Sequence, residues 1–583
     1  MCRFFMTGLM ITRTFSSLFC ITISLFHSDF LHAGIPTPPM VWEDFDPDAG
    51  SFKEEIIYEK TVKGIYEKHA YISAYVNEVE VRVFCKYAVK EGSKNVPGLM
   101  NTHGWMGGPS IDKQYVNDGW AVISHDYSGL TKRPHHTKYP PELGHGHMDA
   151  KEKGYTLIYD KMPDGSQTTD PKATSHYLWN AIQRRVLSYL LTQKEVDPSR
   201  IGAKGYSYGG TIMWNLAMDK RVKAVVAYFG IGWINYYRDR AIWKFDQPQK
   251  EIPQTPGQKL FLTGLAPQAH APYIQAASLW LNGSNDHHGG HERGCDTFKD
   301  FKPGVPWDFA VQARGHHNTE KLGDNCKVWL EKHVRGDSHI WPARPTSEIK
   351  LGQDGVPELH LSPANSEKIK EVQVYQCVKT ANNIARFWRD VESKRVGNQW
   401  VAKLPVLNTK DYLFSYANIR YENNTVISSD FEAVIPSDLG RAVATDQPSE
   451  ELPGGASLWK DAAPAEGVGG IQGFRPLNKH HGTSSSQFGD PKWKAPKGAN
   501  LEFMFYCTQP QSLTLSTNTR HASDIEITAS NDWQSMALTP GLLTNVHGTK
   551  LKDWSEVGTI SLKPKSGADI TKVVFANFKW KKD

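Results

Sequence analysis

The sequence predicts an α/β fold, a mainly parallel sheet with helices on both faces, followed by two all-β, sandwich-like modules. Three observations predict it. From Leu99 to Val334, short apolar runs alternate with segments whose apolar residues recur at helical spacing. Beyond WPARPTSEIK (Trp341 to Lys350), where two prolines mark a linker, the helical spacing disappears and strand-like alternation takes over. Within the first of these regimes, RIGAKGYSYGGTIMW (Arg200 to Trp214) sets one serine among four glycines, after an apolar run and before a helical segment.

The elements follow in chain order. Arg3 and Arg13, the apolar run SSLFCITISLF (Ser16 to Phe26) and the small Ala33 before Gly34 read as an export signal over residues 1–33. The run is too short to span a bilayer comfortably, and no later segment is long and apolar enough, so no stable membrane insertion is expected and the product is periplasmic or extracellular. The catalytic unit is expected over residues 34–345. It opens with alternating strands (AYISAYVNEVEVRVFCKYAV). Then come the strand LMNTHGW, the short helix DKQYVNDG, the strand WAVISHDY and, after an insert, the helix SHYLWNAIQRRVLSYLLTQKEV. IGAKGYS, TIMWNLAMDK and VKAVVAYFG continue the alternation. After a second insert come the strands AASLWLNG and DFAVQARG and the helix TEKLGDNCKVWLEKHV. A β-sandwich is expected over 346–440, and a β-rich module, reached through DQPSEELPGGASLW, over 441–583.

Composition narrows the partners. A net charge of +5 on 583 residues, without a long Lys/Arg block, points to neither nucleic acid nor an anionic membrane. Eighteen tryptophans and 23 tyrosines suit either sugar stacking or large β-rich cores. Of seven cysteines, Cys2 and Cys20 fall in the signal. Cys85, Cys295, Cys326, Cys377 and Cys507 are scattered without a CxxC, and Cys295 with Cys326 is a candidate disulfide.

Gly205-Tyr206-Ser207-Tyr208-Gly209 is a G-x-S-x-G motif in strand–turn–helix context, where a sharp turn lifts the serine hydroxyl above the sheet. Such a nucleophile needs a base, an acid to orient it, and N–H donors for the oxyanion. Asp286, just past AASLWLNG, is the expected acid, with Asp296 and Asp308 as alternatives. His316, directly after Gly315, is the expected base, with His317 as its rival. The oxyanion donors are assigned to the backbone of Trp105, in the turn after the first parallel strand, and of Tyr208. His103 is read as packing that turn, and Asp126 as a structural turn residue. His135, His136, His145 and His147, with Asp149, crowd the first insert, and His287, His288 and His291 the loop after Asp286. Their spacings could bind a metal, but no helix-borne H-E-x-x-H occurs. They are read as loop histidines, and no cofactor or metal is expected.

EVDPSRIGAKGYSYGG resembles the V-D-x-x-R-I-x-x-x-G-x-S-x-G-G block of secreted α/β-hydrolases, in the branch of dienelactone hydrolases, acetyl xylan esterases and prolyl-oligopeptidase-like enzymes. HDYSGL is similar to their D-x-x-G turn and GSND to their acid loop, and the likeness runs from about Ser51 to Gly336. The resemblance implies an α/β-hydrolase fold and a Ser-His-Asp triad, and leaves the substrate open. Serine stands where dienelactone hydrolase has cysteine, so that activity is not implied. ARFWRD…LPVLNTKDYLFSYANIRY looks like a sandwich appended to such hydrolases, and KVVFANFKW faintly resembles a galactose-binding jelly roll. Together these readings give an exported serine esterase acting on acyl esters, with decorated polysaccharides as the expected class. A peptidase of the same fold is the first alternative, with Glu142 or Asp149 holding a substrate amino terminus. A glycan-binding protein with a relic hydrolase domain is the second.

Overall fold

A computed structural model describes residues 36–149, 170–232, 259–336, 339–364, 368–380 and 382–582. The export-signal reading therefore lies outside the described residues, as do parts of both inserts. Among the described residues, no helix is long and apolar enough to cross a membrane.

The first part is built on a nine-stranded sheet in the order β1-β2-β3-β5-β4-β6-β7-β8-β9. An antiparallel meander opens it: β1 (Glu55–Val62), β2 (Ile65–Val76) and β3 (Val79–Lys90). β3 pairs antiparallel with β5 (Ala121–His125), and β5 pairs parallel with β4 (Val96–Thr102). From β4 onward, β6 (Val196–Ser207), β7 (Ala224–Phe229), β8 (Ala277–Gly283) and β9 (Trp307–Gln312) are all parallel. β8 is buried along its whole length, as a strand covered on both faces must be. The helix Ser175–Leu191 is capped by Thr174, whose hydroxyl accepts from the N–H of Tyr177.

Two local readings differ from the sequence expectation. The segment TEKLGDNCKVWLEKHV is not one helix. Gly323, at φ +65°, separates a short 3₁₀ turn from the helix Asn325–Leu330, which ends in a π turn. The region after Asp286 is not loop throughout, because His291 opens the helix His291–Lys299 and is fully buried.

Beyond residue 345 all described sheets are antiparallel. One pair joins Thr346–Leu351, Pro357–Ser362, Gln399–Lys403 and Lys394–Val396 in one sheet, and strands built around Ile369–Val378 and Leu413–Tyr421 in the other. A second pair, of five and four strands, occupies the last part and has its own buried core, including Trp459, Phe474, Trp554 and Trp580. Its strands Asn500–Tyr506 and Gln511–Thr517 alternate buried and half-buried residues, the period-2 signature of a sheet with one covered face.

The linker at Trp341 to Lys350 is not a packing boundary. The core of the first part continues into Tyr375, Cys377, Trp388, Phe414 and Tyr416. The outer edge of β9 is covered too: the Val311 N–H donates to Ser428 Oγ (2.8 Å), and Asn418 Nδ2 donates to the Val311 carbonyl (2.9 Å). Side chains of the first sandwich thus satisfy an edge strand that would otherwise be open to pairing. The candidate disulfide is not formed. Cys295 and Cys326 are free and buried, and Cys326 Sγ lies 3.3 Å from Tyr115 Oη.

Candidate active site

β6 ends at Ser207 and the helix Tyr208–Leu216 begins at the next residue. The turn between them leaves no room for ordinary backbone. Ser207 takes φ +56° and ψ −119°, a conformation that costs a non-glycine residue about 1–3 kcal/mol. A Cβ at Gly205 would lie 2.2 Å from the Gly209 carbonyl oxygen, and one at Gly209 would lie 2.4 Å from that of His103. These two glycines let β6, its helix and the turn after β4 touch. The half-buried Ser207 emerges at the C-terminal edge of the sheet, and Gly104 abuts it closely enough that a Cβ there would sit 3.1 Å from Ser207 Cβ. Trp105 and Tyr208, the expected oxyanion donors, therefore flank the serine, and their rings meet edge to face at 5.3 Å. The Tyr208 N–H belongs to the first turn of the helix Tyr208–Leu216. The Tyr208 hydroxyl is engaged elsewhere, 2.6 Å from His176 Nδ1.

Asp286 follows β8 and is completely buried. Its Oδ1 accepts the backbone N–H of His288 (2.5 Å), and its Oδ2 lies 2.6 Å from His317 Nδ1. The hydrogen bond expected of His316 is thus made by its neighbour. The His317 ring is stacked on Phe229, centroids 4.0 Å apart, at the end of β7 beside Ser207 in the sheet. His316 turns the other way. Its surroundings are Asn285, Arg314, Arg386 and, from the last β-rich part, Trp459, Lys460 and Ser484 to Ser486. Burial first, and the Lys460 charge second, push its pKa down to about 4. β9 has already ended at Gln312, so strand alternation does not decide which of two histidines three turn residues later faces the serine.

The alternative acids do not reach this place. Asp296 lies on the helix His291–Lys299 and pairs with Lys299 at 3.0 Å. Asp308 sits at the opposite end of β9, accepts from Trp341 Nε1 (2.8 Å), and is raised to about 6 by burial. His103 and Asp126 behave as turn residues. His103 Nδ1 lies 2.8 Å from the Gly104 carbonyl, and its ring stacks on Tyr127 at 4.3 Å. Asp126 accepts from the backbone of Ser128, Gly129 and Thr137. Burial alone would raise it, but hydrogen bonds from His103, Ser128 and Thr137 hold it down at about 2.

Three of the four first-insert histidines make local contacts. His147 bridges the Gly129 and Tyr139 carbonyls, His136 Nδ1 meets the Arg133 carbonyl, and His135 stacks on Phe84. Asp149 accepts from the N–H and hydroxyl of Thr131.

Sequence reasoning missed two neighbours of Ser207 and Asp286. His288, only 4% exposed, places Nδ1 3.4 Å from Ser207 Oγ and Nε2 3.2 Å from Thr211 Oγ1. Its only sequence signal is membership of a histidine-rich loop. Asn383, fully buried in the first sandwich, donates to the Asp286 carbonyl (2.8 Å), while Asn285 Nδ2 donates back to the carbonyls of Asn383 (2.9 Å) and Arg386 (2.6 Å). Arg386 is itself locked to Glu292 by a buried bidentate ion pair at 3.0 and 3.1 Å. Nothing in the sequence announces a contact between residues 97 positions apart.

A family model described as dienelactone hydrolase matches residues 150–302, which include Ser207 and Asp286 and stop before both candidate base histidines. The first part has the α/β-hydrolase fold. Among solved structures, an acetyl xylan esterase from Paenibacillus sp. R4 is similar at 17% identity, covering 46% of this chain and 83% of that one, with a TM-score of 0.34. Acetyl xylan esterase 1 from Thermoanaerobacterium sp. JW/SL YS485 is similar at 15% identity, with 48% and 86% covered and a TM-score of 0.34. The acylaminoacyl peptidase of Pyrococcus horikoshii is similar at 16% identity, with 46% of each chain covered and a TM-score of 0.29. No curated protein matches the chain.

Proposed function

We propose that this chain is an exported serine hydrolase that cleaves carboxylic esters, with acyl esters on polysaccharides as its substrate class. Ser207 is the nucleophile, His317 rather than His316 the base, and Asp286 the orienting acid. The observation that carries this reading is the 2.6 Å contact between His317 Nδ1 and the buried Asp286 carboxylate. An ionised carboxylate only accepts, so Nδ1 holds the proton and Nε2 is left with a lone pair. That tautomer can take the Ser207 proton as the hydroxyl attacks the acyl carbonyl, and the buried aspartate stabilises the imidazolium that results. The Trp105 and Tyr208 N–H groups receive the oxyanion. His317 then protonates the leaving alcohol, and water attacks the acyl-enzyme by the same route in reverse.

The peptidase reading has less support. It needs an acid held beside Ser207 to bind a substrate amino terminus; of its two candidates, Asp149 is engaged with Thr131, and Glu142 stands exposed in the 3₁₀ turn Pro141–Gly146. Purified protein should hydrolyse an aryl acetate and release acetate from acetylated xylan while leaving aminoacyl arylamides intact, and Ser207→Ala should abolish both ester activities. Turnover of the arylamides alone would favour the peptidase. No turnover of any of the three, with retained glycan binding, would favour the relic-hydrolase alternative.

A further inference from the structure

We propose that Asp286, His287 and His317 form an inhibitory site for a borderline divalent cation, best matched by zinc, at the mouth of the catalytic centre. The proposal rests on the reading of His317 as the base. Among the described residues, one ligand atom from each of these three lies within 4.8 Å of the others. The donors are two imidazoles and a carboxylate, the set zinc takes with a water in its open position. Donors about 2.1 Å from a tetrahedral zinc ion lie about 3.4 Å apart. Closing a spacing of up to 4.8 Å needs a movement of roughly an ångström or a little more. His287 can supply it, because it is exposed, and its ring centroid already lies 4.9 Å from that of His317. Asp286 is fixed from behind through His288 and Asn383, so the acid side of the site is pre-organised. Magnesium and calcium prefer all-oxygen shells and do not suit two imidazoles.

Occupation would stop the proposed chemistry for a specific reason. The His317 nitrogen that meets Asp286 is Nδ1, and an imidazole nitrogen ligates only through its lone pair. With the ion between Nδ1 and the carboxylate, the ring proton moves to Nε2. The nitrogen that should accept the serine proton then carries one already. The aspartate charge is spent on the cation as well. The bound state therefore holds the wrong tautomer, which alone is enough to suppress a triad by orders of magnitude.

His287 separates this site from the reaction, since it is assigned no step in hydrolysis. Full-length Ser207→Ala protein, titrated calorimetrically with zinc chloride, should take up one ion per chain. Adding His287→Ala should weaken that uptake by at least about tenfold, in line with loss of a ligand. In the serine-containing enzyme, zinc chloride should block hydrolysis of an aryl acetate, a chelator should restore it, and magnesium chloride should do nothing. His287→Ala should keep its basal rate and need at least about tenfold more zinc for the same block. Zinc uptake in the Ser207→Ala protein that depends on His287 upholds the site even if no ester is turned over, a result that would sink only the catalytic reading. Absence of saturable uptake, or equal uptake and equal inhibition with and without His287, overturns the proposal.

Discussion

Ser207 is held in a backbone conformation that only its surroundings can sustain, and the sequence displayed those surroundings openly. Gly205 and Gly209 are where β6, the following helix and the His103 turn come within 2.2–2.4 Å of a would-be Cβ. Steric necessity wrote them into the chain. The proposed base was not written in the same way. His316 and His317 follow a glycine in a turn beyond the last strand, and their directions depend on Asp286 and Phe229 on one side and on Lys460 on the other. The expected outcome is therefore that His317→Ala loses on the order of 10⁶ in kcat, as for the base of a complete triad. His316→Ala should stay within about tenfold of the parent, an indirect effect of about 1.4 kcal/mol or less. Aryl acetate kinetics on both variants check this, and the reverse order would return the role to His316. His288 should behave differently from both. It spans Thr211 and Ser207, so His288→Gln, which retains a polar amide, should lower kcat about tenfold with little change in KM. A loss as large as that of His317 would make His288 the base instead.

At the scale of elements, the parallel strands were legible because each is a short apolar run ending near a glycine or a polar turn. The helix His291–Lys299 was hidden. Its mean character is polar, and its histidine looked like part of a loop. The larger omission is the way the acid loop is held. Asp286 depends on the segment Asn383–Ala385, almost one hundred residues later, and on the ion pair of Arg386 with Glu292 beneath it. Local patterns cannot report a contact at that separation, because they carry periodicity and not partnership. The consequence is testable. Asn383→Ala removes the donor to the Asp286 carbonyl and leaves it unsatisfied in a buried place, a cost of about 1–3 kcal/mol. The expected result is a kcat lowered about tenfold with KM for a small ester unchanged, because the acid shifts while the binding surface does not. A variant that only melts earlier, with kcat intact, would show that Asn383 supports the fold alone.

Over the whole molecule, buried histidines set the acid limit. Burial pushes His125, His176 and His291 down to about 3, and His270 to about 4. Each is neutral when folded and protonates readily when unfolded. The unfolded state therefore binds more protons below about pH 6.5, so stability falls as pH drops from there toward the folded values. One such group contributes a slope of about 1.4 kcal/mol per pH unit. His291 is the best single probe, since both ring nitrogens lack a hydrogen-bond partner and its ring packs edge-on to Phe309, Tyr416 and Phe431. His291→Phe should leave the melting temperature near pH 8 close to that of the parent and flatten its decline between about pH 6 and 4. Parallel declines in the two proteins would remove His291 from the account.

The last β-rich part presents the same issue in another form, because its separate core suggests independence and its charges do not. Arg389, in the first sandwich, is 7% exposed and reaches across to Asp446 (2.6 Å) and to Asp490 through two hydrogen bonds, one of 2.8 Å. Lys492 completes the cluster at 2.6 Å from Asp446. Burial raises Asp490 above the usual carboxylate range despite the guanidinium beside it. Asp446 is also raised by burial, but Lys492 and Arg389 outweigh this and hold it low. The same unit places Trp459 and Lys460 beside His316, close to the proposed catalytic centre. The sequence expectation of a module boundary at residues 440 and 441 implies an independent unit, and these contacts argue otherwise. Asp490→Ala should leave Arg389 buried with half its compensation and destabilise the chain by about 3–5 kcal/mol, read as a lower denaturant midpoint. Arg389→Met combined with Asp490→Leu keeps the Asp446–Lys492 pair and removes the other two charges together. It should recover most of that loss, because a buried ion pair contributes little beyond a packed apolar one. If Asp490→Ala is neutral, the cluster does not fasten the two sandwiches. If the double variant is as unstable as the single, packing around Arg389, and not its charge, is what joins them.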